Sequence, residues 1–165
     1  MNEHCISADE RERWQDHPGV IAPPPVIVAG FIAVGIALDG LAWTVPIYEP
    51  VRFLGGGGLL IAGLSLMAAA MRAFRDAATP IETRFPSATV VTQGPYAHKR
   101  NPIYVAMLLA YAGVGVLLSA PAVVALLPLL FAVLHFGVVR REEHYLECKF
   151  GDRYLRYRYA VPRWF

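Results

Sequence analysis

Charge is scarce in this chain: Asp, Glu, Lys and Arg make up 17% of its 165 residues, while 56% are hydrophobic. A soluble globular domain carries about a quarter of its residues charged, so the composition points away from that class and toward a membrane protein. Neither sign is in excess. The net charge is +2, and no run of Lys and Arg interleaves with aromatics, which sets aside a nucleic-acid partner. Cysteine is nearly absent as well. Cys5 and Cys148 stand far apart without a CxxC pair, which excludes a disulfide framework or a zinc knuckle and leaves no metal expected. Also missing is the basic start and apolar centre of a signal peptide. Residues 1–25 instead carry Glu3, Asp9, Glu10, Arg11, Glu12, Arg13 and Asp16 and end in Pro23-Pro24-Pro25. They read as a cytosolic N-terminal tail, with one membrane-embedded domain over residues 26–165.

What is abundant is apolar sequence. Segments at about 26–45, 54–71, 103–118 and 120–139 each approach the roughly 20 residues that a helix needs to cross about 30 Å of hydrocarbon. The expected fold is all-α, a multi-pass membrane helical bundle with about four transmembrane helices. Pro102 suits the first turn of the third span, where its missing N–H costs nothing, and Pro121 marks the turn into the fourth. Spans three and four should therefore form a tight hairpin. Arg52 is the only basic residue of the first loop, whereas Arg72, Arg75, Arg84, Lys99 and Arg100 crowd the second and Arg140, Arg141, Lys149, Arg153, Arg156, Arg158 and Arg163 follow the fourth span. Basic segments face the cytosol, so both termini are expected inside, with residues 72–102 and the C-terminal tail on one membrane face.

Within the spans, Gly55-Gly56-Gly57-Gly58 and Gly63 favour close helix contact, with approach of a ligand to the backbone as the alternative. Asp39 and His135 are the strongly polar groups inside apolar segments. Such residues are functional candidates, but neither has a second ligand-type residue at i+3 or i+4, and a structural role is the simpler reading for both. Past the fourth span, Glu142 to Tyr145 continue the helix into water and Gly151 breaks it. Asp152 is placed to cap a short amphipathic helix carrying Tyr154 and Tyr157 over the segment 140–165, and Pro162 ends it. An interfacial helix with its tyrosines at headgroup level accounts for most of that tail. It does not account for Glu142 and Glu143, two anions at a helix end near lipid headgroups, which call for a cation close by. Arg140, Arg141 and, across the hairpin, Arg100 are the candidates.

The two ends of the hairpin, "VVTQGPYAHKRNPIY" and "EEHYLECKFGDRYLRYRYAVPR", together resemble the isoprenylcysteine carboxyl methyltransferase group of integral-membrane methyltransferases and the related phospholipid methyltransferases. The resemblance covers roughly residues 79–163, including "TPIETRFPSATVV". It implies a pocket for S-adenosylmethionine at the cytosolic membrane face, made by the loop before span three, the end of span four and the C-terminal helix, with a lipid-like or hydrophobic methyl acceptor. Position by position, it implies cofactor contacts at Ala88, Thr89, Val90, Val91, Tyr96, Arg100, Asn101, Pro102, Ile103, Tyr104 and Glu142. Asn101 stands where the family often has histidine. An arginine that engages substrate in eukaryotic members is replaced by Val138, which argues against prenylcysteine and leaves Arg141 or Arg140 to face the acceptor.

The implied ligand and these residue types agree chemically. A carboxylate, an ammonium, a sulfonium and an adenine want a cation, an anion and apolar or aromatic faces. Methyl transfer needs alignment more than proton transfer, so no catalytic acid or base is assigned. A bacterial inner membrane is the expected location. Two other readings stay open: an NADPH-dependent sterol-type reductase, which Cys148-Lys149-Phe150-Gly151 approaches, and a non-enzymatic membrane protein that keeps the pocket.

Overall fold

The computed structural model describes residues 19–41, 48–77 and 90–164, and all regular structure among them is helical. The far end of the first expected span, most of the N-terminal tail and Ala88 and Thr89 lie outside the described residues. Helix α1 is Pro24–Leu41, α2 is Gly57–Asp76, α3 is Pro102–Leu117, α4 is Pro121–Ala125, α5 is Leu127–Leu134, α6 is Arg140–Phe150 and α7 is Asp152–Ala160. A π-helical turn, Val51–Gly56, leads into α2, and a second, His135–Val139, joins α5 to α6. The stretches Pro24–Leu41 and Val51–Asp76 are long and apolar enough to cross a membrane, and α3 is a shorter apolar helix.

Helix α3 is the centre. Along one side it meets α2, and α4 folds back beside it with α1 packed mainly on α4. The seam of α3 with α2 and its leading π turn is built from small residues at seven-residue spacing, Gly56 and Gly63 on one side and Ala106 and Gly113 on the other. A Cβ at Gly63 would lie 2.7 Å from Ala110 N and 2.8 Å from Ala106 O, and one at Gly113 would lie 2.6 Å from Leu60 N. Backbone thus touches backbone, which is how helices gain packing where lipid offers no hydrophobic drive. Of the four consecutive glycines, Gly56 alone is so used; at Gly57 and Gly58 nothing lies within 4 Å of an added Cβ. The outer surface keeps Val34, Ile36, Leu38, Ile61 and Leu64 exposed, as a hydrocarbon solvent requires.

At the hairpin turn two polar residues close helix ends. Asp39 Oδ1 accepts from Ala122 N at 2.9 Å in the first turn of α4, and Arg52 Nε donates to Leu117 O at 2.6 Å at the end of α3. Each sign matches the dipole end it meets. Asp39 therefore has a structural role. The apolar stretch expected as one span over 120–139 is interrupted at Leu126, because Pro128 has no N–H to donate into the turn before it, and again by the π turn. Beyond α6, Gly151 reverses the chain at φ 52° and ψ −128°, a conformation that costs a Cβ-bearing residue dearly. It is also the N-cap position of α7, and Asp152 makes no side-chain cap there.

Gly63→Ala should lose about 1–3 kcal/mol of stability, since the seam has no side chain to give way. Gly58→Ala should hold or gain up to about 1 kcal/mol from helix propensity. Thermal unfolding of both variants in one detergent checks the contrast.

Candidate active site

The site forms where the loop before α3 meets α6, α7 and the segment after α7. Gly94, at φ +59°, starts a 3₁₀ turn, Gly94–Ala97, which is closed by Tyr96 N to Gln93 O and by His98 N and Lys99 N to Pro95 O. The turn carries Tyr96 into an apolar cluster with Ala70, Ala73 and Val91, against which Ile103 packs. The Tyr96 ring stands edge-on to Phe74 at 5.3 Å between centroids. Val90 is buried beside Val91 in sequence, and Pro102 is buried at the first position of α3.

From the other side, the π turn His135–Val139 holds more residues per turn than an α-helix and so resets which face of α6 looks inward. Glu143 is 5% exposed. Asn101 Nδ2 donates to its Oε1 at 3.1 Å, and Arg163 Nε donates to Oε1 at 3.1 Å and Oε2 at 2.9 Å, with Nη2 2.7 Å from Oε2. Arg100 Nη1 is 3.2 Å from Oε1. That is an ion-pair distance without hydrogen-bond alignment: Arg100 Nε and Nη1 are buried with no hydrogen-bond acceptor among the described residues.

Glu142 is arranged differently. Its Oε1 accepts from Tyr104 Oη at 2.7 Å. Burial pushes the carboxyl up to about 7; the Tyr104 hydrogen bond opposes the rise and the neighbouring Glu143 charge adds to it. Three tyrosines near the two glutamates, Tyr154, Tyr157 and Tyr96, are held in the neutral form by burial. Burial, then the Glu143 charge, pushes Tyr154 up to about 12 against the opposing Arg100 guanidinium. Burial also raises Tyr157 and Tyr96. Tyr157 Oη donates to Tyr96 O at 2.7 Å, tying α7 to the 3₁₀ turn.

After α7 the chain lies back across the site. Arg100 N donates to Pro162 O at 3.0 Å, Arg163 grips Glu143, and Trp164 Nε1 donates to His135 Nδ1 at 3.2 Å. Phe131 packs on both the Trp164 and His135 rings. His135 thus anchors this segment.

Among the residues singled out from sequence, Arg100 and Asn101 gather at Glu143, Tyr104 gathers at Glu142, and Val91, Tyr96 and Ile103 share the adjoining apolar cluster. Arg141 is not among them: it is exposed and donates through Nη1 to Gly19 O at 2.8 Å. Arg140 is exposed with its guanidinium 5.7 Å from the Phe136 ring. Val138 is wholly buried in the core around Tyr104 and Tyr111. Sequence reasoning paired Glu143 with Glu142 as anions in need of a cation, Arg100 among the candidates, and gave Arg163 and Tyr157 no contact in the site. The paired glutamates and the phrase Val161-Pro162-Arg163 were the available signals. Among the described residues no group of three or more His, Cys, Asp or Glu gathers as a metal site would.

A family model described as phospholipid methyltransferase matches residues 51–153, well over half of the chain. The cobalt-zinc-cadmium resistance protein CzcN of Cupriavidus metallidurans is 38% identical over 77 residues, 47% of this chain and 35% of that one. The nickel-cobalt-cadmium resistance protein NccN of Alcaligenes xylosoxydans xylosoxydans is 35% identical over 66 residues, 40% of this chain and 31% of that one. This chain thus spans about a third of the length of the curated relatives it matches. No solved structure matches it.

Glu143→Ala strands two guanidinium groups and should cost about 3–5 kcal/mol. Glu147→Ala breaks only the exposed pair with Arg158 and should cost less than about 1 kcal/mol. Denaturation midpoints of the two variants provide the measurement.

Proposed function

The chain belongs to the phospholipid methyltransferase family, and from that premise we propose that it transfers a methyl group from S-adenosylmethionine to a lipid-like or hydrophobic acceptor at the cytosolic membrane face. One observation carries the cofactor reading. With Glu143 saturated by donors, the site keeps, among the described residues, one cation with unused N–H groups, Arg100, and one anion outside any ion pair, Glu142. That combination is complementary to a zwitterionic amino-acid moiety. Arg100 would hold the carboxylate, Glu142 the ammonium, and the cluster of Val91, Tyr96 and Ile103 an apolar part.

When bound, S-adenosylmethionine supplies a methyl group on a sulfonium, already activated for in-line displacement. The chain's own residues then have to bind, orient and exclude water. Tyr104 orients Glu142, Asn101 helps hold Glu143, and Tyr157 fixes the 3₁₀ turn that presents Tyr96. No protein acid or base is required. Four membrane passes, both termini cytosolic and a bacterial inner membrane complete the proposal, with α4, α5 and the π turn together forming the interrupted fourth pass. α7 would lie at the cytosolic interface. The family match favours methyl transfer over the sterol-type reductase reading.

S-adenosylhomocysteine at 100 times its Kd should stabilise the detergent-purified protein by about 2.7 kcal/mol, and NADPH should not. Arg100→Ala and Glu142→Ala should each remove that shift, and Arg158→Ala should keep it; no shift for the wild type would refute the reading. The affinity should also depend on pH. Because the carboxyl of Glu142 is raised from 4.5 to about 7, it is protonated below that value and cannot pair with an ammonium. Affinity should therefore climb as pH rises to about 7 and level off above it, and Glu142→Gln should flatten the profile. The raised value also means that ionisation weakens the unliganded fold between pH 4.5 and about 7, so the ligand's stabilisation is greatest on the alkaline side. Tyr104→Phe removes a bond to the charged form and should move the step to higher pH. Titration calorimetry across pH 5.5–8.5, a range of about three units around that value, reads all three curves.

A further inference from the structure

Two cations face Glu143, and they share it unequally. Arg163, with a side chain 30% exposed, takes both carboxylate oxygens through Nε and Nη2. Arg100, 9% exposed, reaches one oxygen through Nη1 at 3.2 Å and keeps Nε and Nη1 without a hydrogen-bond acceptor. A buried guanidinium next to a carboxylate would ordinarily present its fork to it. Here that place is taken.

We infer that Arg163 is a positioning residue, which by occupying Glu143 keeps the Arg100 guanidinium available for the carboxylate of the bound cofactor. The inference rests on the cofactor reading above. Arg163 is delivered to its place by fixed neighbours, since Pro162 O accepts from Arg100 N at 3.0 Å and Trp164 donates to His135 at 3.2 Å. The same segment therefore fixes the Arg100 backbone and competes with its side chain for Glu143. Take Arg163 away, and Glu143, 7% exposed at its side chain, has Arg100 as its remaining cation among the described residues that touch it. Arg100 then closes onto Glu143, and a ligand carboxylate has to break that pair before it can bind, which lowers the apparent affinity.

Titration calorimetry on the full chain in detergent tests this with two probes. S-adenosylhomocysteine carries the amino-acid moiety, and 5′-methylthioadenosine has the adenosine and thioether without it. Arg163→Ala should weaken S-adenosylhomocysteine at least tenfold and 5′-methylthioadenosine less than twofold. Arg163→Lys, which keeps the charge but loses the fork, should recover part of the loss. In a Glu143→Gln background, where no charge remains for Arg100 to close onto, Arg163→Ala should add less than twofold. The inference is overturned if Arg163→Ala leaves S-adenosylhomocysteine affinity within twofold of wild type. It is overturned equally if both probes weaken alike, which marks damage to the fold, or if the loss is the same in the Glu143→Gln background, which marks direct contact with ligand. Wild-type protein that binds no S-adenosylhomocysteine would refute the cofactor reading and this inference together; wild-type binding with an unaffected Arg163→Ala refutes the inference alone.

Discussion

A carboxylate removed from water at the end of an apolar bundle is stable only if cations and donors are brought to it, and Glu143 draws them from both directions along the chain. Asn101 lies 42 residues before it and Arg163 lies 20 residues after it. For these groups to meet, the start of α3, the continuation of α5 into α6 and the segment beyond α7 must converge. The 3₁₀ turn, the positive-φ glycines and the tyrosine link between α7 and Tyr96 serve that convergence. Glu142, next in the chain and on a different face, is held by a single tyrosine hydroxyl. The two adjacent glutamates thus differ in their surroundings: Glu143 is met by two guanidinium groups and an amide, Glu142 by one hydroxyl.

Charge in the apolar part of the chain follows the same economy. Asp39 and Arg52 each sit against the helix terminus whose partial charge opposes their own. The Asp39 contact bonds α1 to the start of α4 and the Arg52 contact bonds the π turn before α2 to the end of α3, so the hairpin turn is held from two sides. The bundle is bound at one end by helix-end caps and at the other by the Glu143 cluster, with a small-residue seam between them.

Much of this was legible in the sequence, for identifiable reasons. Apolar length located the start of α1 and both α2 and α3 to within a few residues, because hydrocarbon thickness sets helix length. Pro102 and Gly151 marked a helix start and a helix end correctly, since their backbone restrictions are local. The fourth apolar stretch was harder: Pro128 lay in plain sight, but hydropathy does not register the break it causes, and a π turn leaves no compositional trace. That turn also decides which of Glu142 and Glu143 faces Arg100, and the sequence offered no way to choose. Arg163 escaped notice because its role depends on a chain reversal after α7 that only three-dimensional packing reveals. Arg141 drew attention by proximity to the glutamates, yet successive helix positions diverge by about 100°, and it points instead to Gly19.

The seam between α2 and α3 has a mechanical consequence. Where side chains interdigitate, two helices can slide by exchanging rotamers; where Gly63 meets Ala110 and Gly113 meets Leu60 with bare backbone, there are no rotamers to exchange. The pair behaves as a single beam. The arm that runs through Leu126 and the His135–Val139 turn has no such lock and departs twice from regular α-helical bonding, and it ends in the two glutamates.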